Sequence, residues 1–486
     1  MTSKDIYSAE SIKAMDEGCG IDTAVLMENA AAALYGCLLE TNRTEGKICV
    51  ICGKGNNGGD GYALGVILLQ KGLRVGVAAV EAPVSDLAAV YRAKYLNLGG
   101  VIAEDCIQAV NEADLVVDCL FGFSMRGSIT DKYANLVKAV NQSGAFVVAA
   151  DMPSGLIANS DALPELCINA DLTCTFTAPK LALMSYPAAS ACGKVIVADI
   201  GIPDNTIEKH PPLAVTADKR LLKSLPERSV NSHKGTFGTL AALCGNAEMC
   251  GAAYLACLAA LKSGVGMVRL YTDSDCAFVT KTRLAEAIIS AKTAPEDITS
   301  HTPKALLLGC GCGRSYDSTI KALLTGNRIP TVIDADGINC IAGDIQLYRS
   351  VSSEAIITPH PAEMGRLMRK SAAEINGNRA GYALHFAEEY GFVTVLKGAR
   401  TVIASPDGRL CISCYEGSGL AKAGSGDVLA GLIASLLAQG MEGFDAACLG
   451  VYLHSAAAER LTEKRGVYAM LPSELPEMIG QIMYFG

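Results

Sequence analysis

Apolar residues fall in short unbroken runs separated by stretches of helical spacing, and this alternation occurs twice along the chain. In the first half the runs are KICVIC, RVGVAAV, DLVVDCLF, AFVVAAD, DLTCTFT and GKVIVADIG. Between them, YALGVILLQKG and KYANLVKAVNQSG carry apolar residues at helical spacing and end in glycine. Fully apolar strands alternating with helices predict a parallel sheet covered on both faces. Periodicity fails across GIPDNTIEKHPPLAVTADKRLLKSLPERSVNSHKG, where proline, lysine and glutamate rise, so a domain boundary is expected near Pro211 to Val215. The alternation resumes at FGTLAALCG and continues through GMVRLYT, ALLLGCG, IPTVIDAD, EAIITPH, FVTVLKG and TVIASPDG. GDVLAGLIASLLAQG and DAACLGVYLHSAAAERL read as closing helices. Two α/β domains follow, spanning 1–212 and 213–486.

Composition narrows the classes. At 486 residues, 50% of them hydrophobic and 19% charged, the chain can bury sizeable cores. A net charge of −9 without a run of Lys or Arg argues against a nucleic-acid surface. No apolar segment reaches membrane-spanning length, so no membrane partner is expected. MTSKDIYSAESIKAMDEG lacks the apolar centre of a signal peptide, and the expected compartment is the cytoplasm. Most of the nineteen cysteines sit inside apolar runs, where a reduced Cys acts as a small hydrophobe. Cys411-x-x-Cys414 and Cys310-x-Cys312 lack the second matched pair of a structural zinc site.

ICGKGNNGGDGYALG, residues 51–65, satisfies G-x-G-x-x-G at Gly53, Gly55 and Gly58, and Glu81 ends the next strand where a ribose-binding carboxylate would stand. That fingerprint packs small apolar residues around its third glycine and lays a pyrophosphate on the helix start. Asn56, Asn57 and Asp60 stand there instead, and a carboxylate one turn from a pyrophosphate is electrostatically unfavourable. These residues suit oxygen ligation of a hard cation, or polar contacts to a sugar or amide. A glycine turn with left-handed Asn residues is the competing reading. Two more strand ends carry acids beside flexible loops: Asp118 before the loop with Arg126, and Asp151 before Pro153, Ser154 and Gly155. Ligands of open α/β sheets gather at such ends, so three together favour a site. Singly, either aspartate reads as a helix N-cap.

In the second half, AKAGSGDVLAGLIASLL sets Gly424, Ser425 and Gly426 at a helix start, where backbone N–H groups can hold an anion. Asp427 in the first turn can take a proton from a substrate hydroxyl while those amides hold the phosphoryl group under attack. It can also simply complement the helix dipole. His360 and Glu363 follow a strand between prolines, a pattern that fits a polar site or a metal–water shell. Lys397 ends another strand, where an ammonium suits phosphate, and Asp334 and Asp336 end a third. An ordinary surface lysine and a solvated turn are the plainer readings of those two. LLLGCGCGR and SHKGTFGTLAALCG add glycine-rich strand ends.

GKGNNGGDG, VVDCLFGFSMRG and DMPSG, in that order and preceded by MDEGCGIDTAVLMENAA, closely resemble the NAD(P)H-hydrate epimerase domain across residues 1–212. The resemblance implies a Rossmann-like three-layer parallel sheet and a hydrated nicotinamide nucleotide as substrate. It implies a potassium ion held by Asn57, Asp118 and Ser154. Substrate contacts would come from Asn56, Asn57, Gly58, Gly59 and Asp60, and from Gly122, Phe123, Ser124, Met125, Arg126, Gly127 and Ser128. Asp151 would be the acid/base at the ring carbon. Arg126 stands where some members carry a Lys that assists the chemistry. Since a guanidinium is not readily deprotonated, the contribution expected of Arg126 is charge stabilisation or substrate binding.

NSHKGTFG, GCGCG, VIDADGIN, TPHPAEM, VLKGART and GLAKAGSGDVLAGL resemble, in that order, the NAD(P)H-hydrate dehydratase domain of the ribokinase-like superfamily, from residue 213 to near the end. The resemblance implies a ribokinase-like α/β domain that phosphorylates the hydrate's ring hydroxyl with ADP or ATP and Mg²⁺, then eliminates phosphate. Asp427 would be the general base, with Gly424, Ser425 and Gly426 holding the anion. Lys397, Gly398, Ala399, Arg400 and Thr401 would contact the nucleotide, and Gly311, Gly313 and His360 the hydrate. Cys310 and Cys312 stand where members often show Pro and Leu, a change of packing. The fusion implies a cytoplasmic metabolite-repair enzyme with small-molecule substrates, and a homo-oligomer is the expected assembly. On the residues alone two other readings stay open. One is an NAD-dependent oxidoreductase fused to a small-metabolite kinase. The other is a hydroxymethylpyrimidine- or sugar-type kinase fused to a non-catalytic nucleotide-binding or dimerisation module.

Overall fold

The computed structural model describes residues 5–351 and 354–485. The chain divides into two compact units, Met1–Val215 and Thr216–Gly486.

In the first unit the six apolar runs become six parallel strands: β1 (Ile48–Cys52), β2 (Val75–Ala79), β3 (Leu115–Cys119), β4 (Phe146–Ala150), β5 (Leu172–Phe176) and β6 (Lys194–Ala198). Their order is β2-β1-β3-β4-β5-β6. Side chains alternate between the faces of a strand. Ile48, Val50 and Cys52 therefore join one core with α1 (Ala9–Gly18), α2 (Thr23–Glu40), α3 (Asn56–Gln70) and α4 (Asp86–Asn97). Cys49 and Ile51 join a second with α5 (Cys106–Asn111) and α6 (Asp131–Gln142). Burial on both faces is why the runs are apolar throughout rather than alternating. β2 and β3 flank β1 on opposite sides, so the crevice at the C-terminal ends of β1 and β3 is the topological switch point.

The spacing predicts a helix from Tyr62, yet α3 begins at Asn56, and NNGGD forms its first turns. Glycine makes this possible. A Cβ on Gly53 would stand 1.9 Å from the Leu120 carbonyl oxygen, and one on Gly58 1.9 Å from that of Gly53. Strand end, helix start and neighbouring loop thus meet backbone to backbone.

The second unit holds β7 (Val215–Ala217), β8 (Thr239–Leu243), β9 (Met267–Tyr271), β10 (Ile288–Ser290), β11 (Ala305–Leu308), β12 (Thr331–Ile333), β13 (Ala355–Ile357), β14 (Phe392–Leu396), β15 (Val402–Ala404) and β16 (Leu410–Ser413). The sheet order is β10-β9-β8-β11-β12-β13-β14-β15-β16-β7. The strands from β10 to β14 run parallel, while β15 and β16 pair antiparallel. Its switch point lies between β8 and β11. The helix Ser425–Ala438 is buried along almost its whole length and packs on the helix Cys250–Lys262 so closely that a Cβ on Gly431 would stand 2.0 Å from the Ala256 carbonyl oxygen. Among the described residues no helix is long and apolar enough to cross a membrane. The cysteines are free, and Cys414 is the exposed one.

Candidate active sites

At the first switch point a cavity of about 650 Å³ opens beside the ends of β1, β3, β4 and β5. Of the residues expected there, Asn56, Asn57, Asp60, Gly122, Phe123, Ser124, Met125 and Asp151 line it. Gly58 and Gly59 lie buried beneath it in α3. Arg126, Gly127 and Ser128 are not among its walls. The Arg126 side chain is 65% exposed and donates to Glu10 at 2.7 Å, a surface ion pair rather than a place in the cavity.

Among the lysines that line the cavity, the one that meets Asp151 is Lys180, from TAPKLALM, which is not among the residues expected from the sequence. It is fully buried and donates to Asp151 Oδ1 at 2.5 Å, to Thr175 Oγ1 at 2.8 Å and to the Phe176 carbonyl at 3.1 Å. The Asp151 carboxylate also accepts from the Phe123 amide at 3.0 Å and from Thr175 Oγ1 at 3.3 Å. Its φ of 64° is rare for a non-glycine residue, and such strain gathers at functional sites. The only sequence signal for Lys180 was a lone lysine inside an otherwise apolar stretch.

Asp118 and Ser154 sit behind the cavity wall. Asp118 is fully buried and accepts from the Ser154 hydroxyl at 2.7 Å, the Ser154 amide at 2.8 Å and the Leu120 amide at 3.1 Å. Burial pushes its carboxyl up to about 6. No ammonium or guanidinium pairs with it among the described residues. The Phe121 carbonyl lies 3.4 Å from Ser154 Oγ, and Asn57 Nδ2 is buried without a hydrogen-bond partner. Hard oxygen donors around an unneutralised buried carboxylate fit a potassium ion.

The second candidate site gathers the C-terminal ends of β11 to β14 around the N-terminus of the Ser425–Ala438 helix. Gly424 caps that helix at φ 97° with no side-chain cap, leaving its first amides available. Lys397 Nζ donates to Asp334 Oδ1 at 2.7 Å, lies 3.9 Å from Glu363 Oε2, and would stand 3.4 Å from a Cβ on Gly426. Asp427 shares this space, and ligating atoms of Cys310, Asp334 and Asp427 all lie within 4.8 Å of one another. Burial, then the charge of Asp334, pushes the Asp427 carboxyl up to about 6, against the pull of Lys397.

The 309–313 loop places Gly309, Gly311 and Gly313 at φ 115°, 63° and 61°, which explains the alternation: glycine takes the left-handed positions while Cys310 and Cys312 turn into the core. The Gly313 amide donates to Asp336 Oδ2 at 2.7 Å. His360 caps the helix Pro361–Met368. Its Nδ1 accepts from the Ala362 and Glu363 amides, and its own amide donates to Glu363 Oε2 at 2.7 Å. That arrangement puts the ring proton on Nε2, which lies 3.4 Å from Glu363 Oε1, and burial holds the imidazole below its ordinary value.

Residues 397–401 are held by a group absent from the sequence reading. Arg379 donates to the Ala399 carbonyl at 2.5 Å and the Leu396 carbonyl at 3.0 Å, and Arg400 pairs with Glu416. His454 supports the anion-binding turn through a hydrogen bond with the Ser425 backbone; burial pushes its imidazole down to about 4, so it stays neutral there. A groove of about 460 Å³ lined by Gly238, Lys304, Pro330 and Glu354 lies at the opposite, N-terminal ends of the strands and shares none of these residues.

Known proteins agree with this division. A family model described as NAD(P)H-hydrate dehydratase matches residues 240–481, and one described as YjeF-related protein N-terminus matches 23–182. The bifunctional NAD(P)H-hydrate repair enzyme Nnr of Moorella thermoacetica is 34% identical over 95% of this chain and 93% of its own. That of Escherichia coli is 34% identical over 89% and 84%. The ADP/ATP-dependent NAD(P)H-hydrate dehydratase from Bacillus subtilis, co-crystallized with ATP/Mg2+, has a TM-score of 0.51 and 31% identity, covering 55% of this chain and 97% of that one. The chain belongs to the family of bifunctional NAD(P)H-hydrate repair enzymes.

Proposed function

We propose that this chain repairs hydrated NADH and NADPH in two steps, each on its own α/β unit. The N-terminal cavity interconverts the R and S hydrates, and the C-terminal site dehydrates the S hydrate to the intact nicotinamide. The observation that carries this reading is the pair of switch-point sites on one chain, matched along nearly its whole length by bifunctional relatives.

In the N-terminal cavity Asp151 is the proton-transfer group at the hydroxyl-bearing ring carbon. Lys180 pairs with it and orients it, and Asn56, Asn57, Gly122 and Phe123 wall the pocket around the ring. Potassium, held by Asp118, Ser154 and Asn57, would neutralise the buried carboxylate and fix the two loops that carry Phe121 and Ser154.

In the C-terminal site Asp427 takes the proton of the ring hydroxyl as its oxygen attacks the terminal phosphorus of ADP or ATP. The amides at Gly424, Ser425 and Gly426, with Lys397, hold the charge that develops on the phosphoryl group. The phosphorylated hydrate then loses phosphate by C–O cleavage and a proton from the adjacent ring carbon, restoring the double bond. Residues 397–401 contact the nucleotide, and His360 and the glycines of the 309–313 loop contact the hydrate. A Mg²⁺ ion usually takes one or two carboxylates plus substrate phosphates; Asp334 would supply a carboxylate beside the phosphates, leaving Asp427 free to act as the base, and the Cys310 thiol is a poor partner for the ion. The buried, reduced cysteines suit the cytoplasm.

Pure S hydrate incubated with ADP or ATP and Mg²⁺ distinguishes this from a simple metabolite kinase: NADH and inorganic phosphate must form together. Donor consumption without NADH would sink the dehydratase reading.

A further inference from the structure

Inverting a hydroxyl-bearing ring carbon without net change requires a bond at that carbon to break and re-form on the other face. If the bond is C–O, the hydroxyl takes a proton and leaves as water, while the ring-nitrogen lone pair forms C=N⁺. Water then adds to the opposite face, re-forms the C–O bond and gives up a proton, so atoms and charge balance with no redox partner. One face needs an acid, the other a base, and the roles exchange in the reverse direction. Asp151, tied to Lys180 at 2.5 Å, supplies one of these groups.

The cavity holds a second candidate that no strand end carries. Asp16, on α1 one turn after Ile12, lines the same cavity. It is half-buried, and its carboxyl takes no hydrogen bond or ion pair among the described residues. This sets it apart from Asp151, whose oxygens are occupied by protein donors. The charged groups that share the cavity with it are Lys13 and Glu17 on α1, Lys54, Asp60, Asp151 and Lys180. Burial raises the Asp16 carboxyl to about 6, Lys180 pulling it down and Asp151 and Glu17 pushing it up. A group so poised can both give and take a proton near neutrality. Asp60 also lines the cavity, and burial, reinforced by Asp151 and Asp16, lifts its carboxyl well above the ordinary range.

Resting on the epimerase reading of this cavity, we propose that Asp16 is the second proton-transfer group of epimerisation, acting at the face of the ring opposite Asp151. The two carboxyl groups alternate as acid and base, one from α1 and one from the end of β4.

The test compares the full-length wild type, Asp16→Asn, Asp60→Asn and Asp151→Asn. Initial rates of R-to-S conversion are read by chromatography across pH and corrected for the spontaneous reaction. In H₂¹⁸O, C–O cleavage is read as label entering the hydroxyl. Asp16→Asn is expected to lower kcat by roughly 100-fold or more with little change in KM, to lose the bend of the pH profile near pH 6, and to stop catalysed ¹⁸O entry. The melting temperature should stay that of the wild type, since the Asp16 carboxyl takes no hydrogen bond or ion pair among the described residues that Asn would break. Wild-type kcat in Asp16→Asn, or a raised KM alone, overturns the assignment, as does epimerisation by the wild type without ¹⁸O entry. If Asp60→Asn rather than Asp16→Asn abolishes turnover, the second group is Asp60. An inactive wild type removes the epimerase reading itself, an outcome distinguished from the others because Asp151→Asn then changes nothing.

Discussion

Lys180 Nζ lies 2.5 Å from Asp151 Oδ1, and both side chains are buried at the C-terminal edge of the first sheet. A buried ion pair is costly to break because the remaining charge is left in low dielectric. Lys180→Met therefore leaves Asp151 without its counter-charge. It should lower stability by about 3–5 kcal/mol and abolish epimerisation, as read by denaturant unfolding and by R-to-S conversion. Asp151→Asn should cost about 100- to 10,000-fold in epimerisation and leave dehydration of pure S hydrate unchanged.

Arg126 separates a surface contact from a catalytic one. Its guanidinium pairs with Glu10 outside the cavity, and exposed pairs contribute about 0–1 kcal/mol. Arg126→Ala should keep epimerase kcat within a few-fold of wild type; a loss matching that of Asp151→Asn would place Arg126 in the chemistry.

Asp427 carries a pH signature. Its carboxyl is raised to about 6 by burial and by Asp334, and a general base works only when ionised. Dehydratase kcat/KM should therefore rise with pH through about 6 and level off above it. Asp427→Asn should lower dehydration by about 100- to 10,000-fold without altering epimerisation. A flat wild-type profile between pH 5 and 7 would remove Asp427 as the base.

Potassium should be visible without turnover. If Asp118 and Ser154 hold the ion, replacing KCl by choline chloride at equal ionic strength lowers the melting temperature of the wild type. The difference should vanish in Asp118→Asn. Equal melting of the wild type in both salts would dismiss the site.

Close packing at the start of α3 makes a prediction that involves no ligand. A Cβ on Gly58 would strike the Gly53 carbonyl at 1.9 Å, whereas nothing lies within 4 Å of one on Gly55. Gly58→Ala should destabilise by about 1–3 kcal/mol and Gly55→Ala far less, as compared by urea unfolding.

The strands that frame both sites were legible because doubly buried strands must be apolar at every position, and all six runs of the first unit formed strands. β7 and β10 escaped, being three residues long and at the sheet edges, where partial burial leaves little pattern, and β16, four residues long, lies next to the edge strand β7. The start of α3 was misread because asparagine and glycine favour turns, while the backbone approaches that require glycine there are set by Leu120, far along the chain. Acids at strand ends were legible as candidates because topology sends ligands to those ends. Lys180, Arg379 and His454 were not, since their meaning comes from partners that only the fold brings near, and Asp16 was not, since only the fold brings α1 to the cavity. The cap formed by His360 with Glu363 shows the converse: spacing marked the pair, and only the hydrogen bonds reveal that it also starts a helix.

The most direct measurement is NADH absorbance regenerated from an equilibrated mixture of R and S hydrates with ADP or ATP and Mg²⁺, for the wild type and for Asp151→Asn. The account predicts complete recovery by the wild type. Asp151→Asn should recover the S share at the wild-type rate and the remainder only as fast as the hydrates interconvert unaided. No NADH with either nucleotide, or full recovery at an undiminished rate by Asp151→Asn, would contradict it.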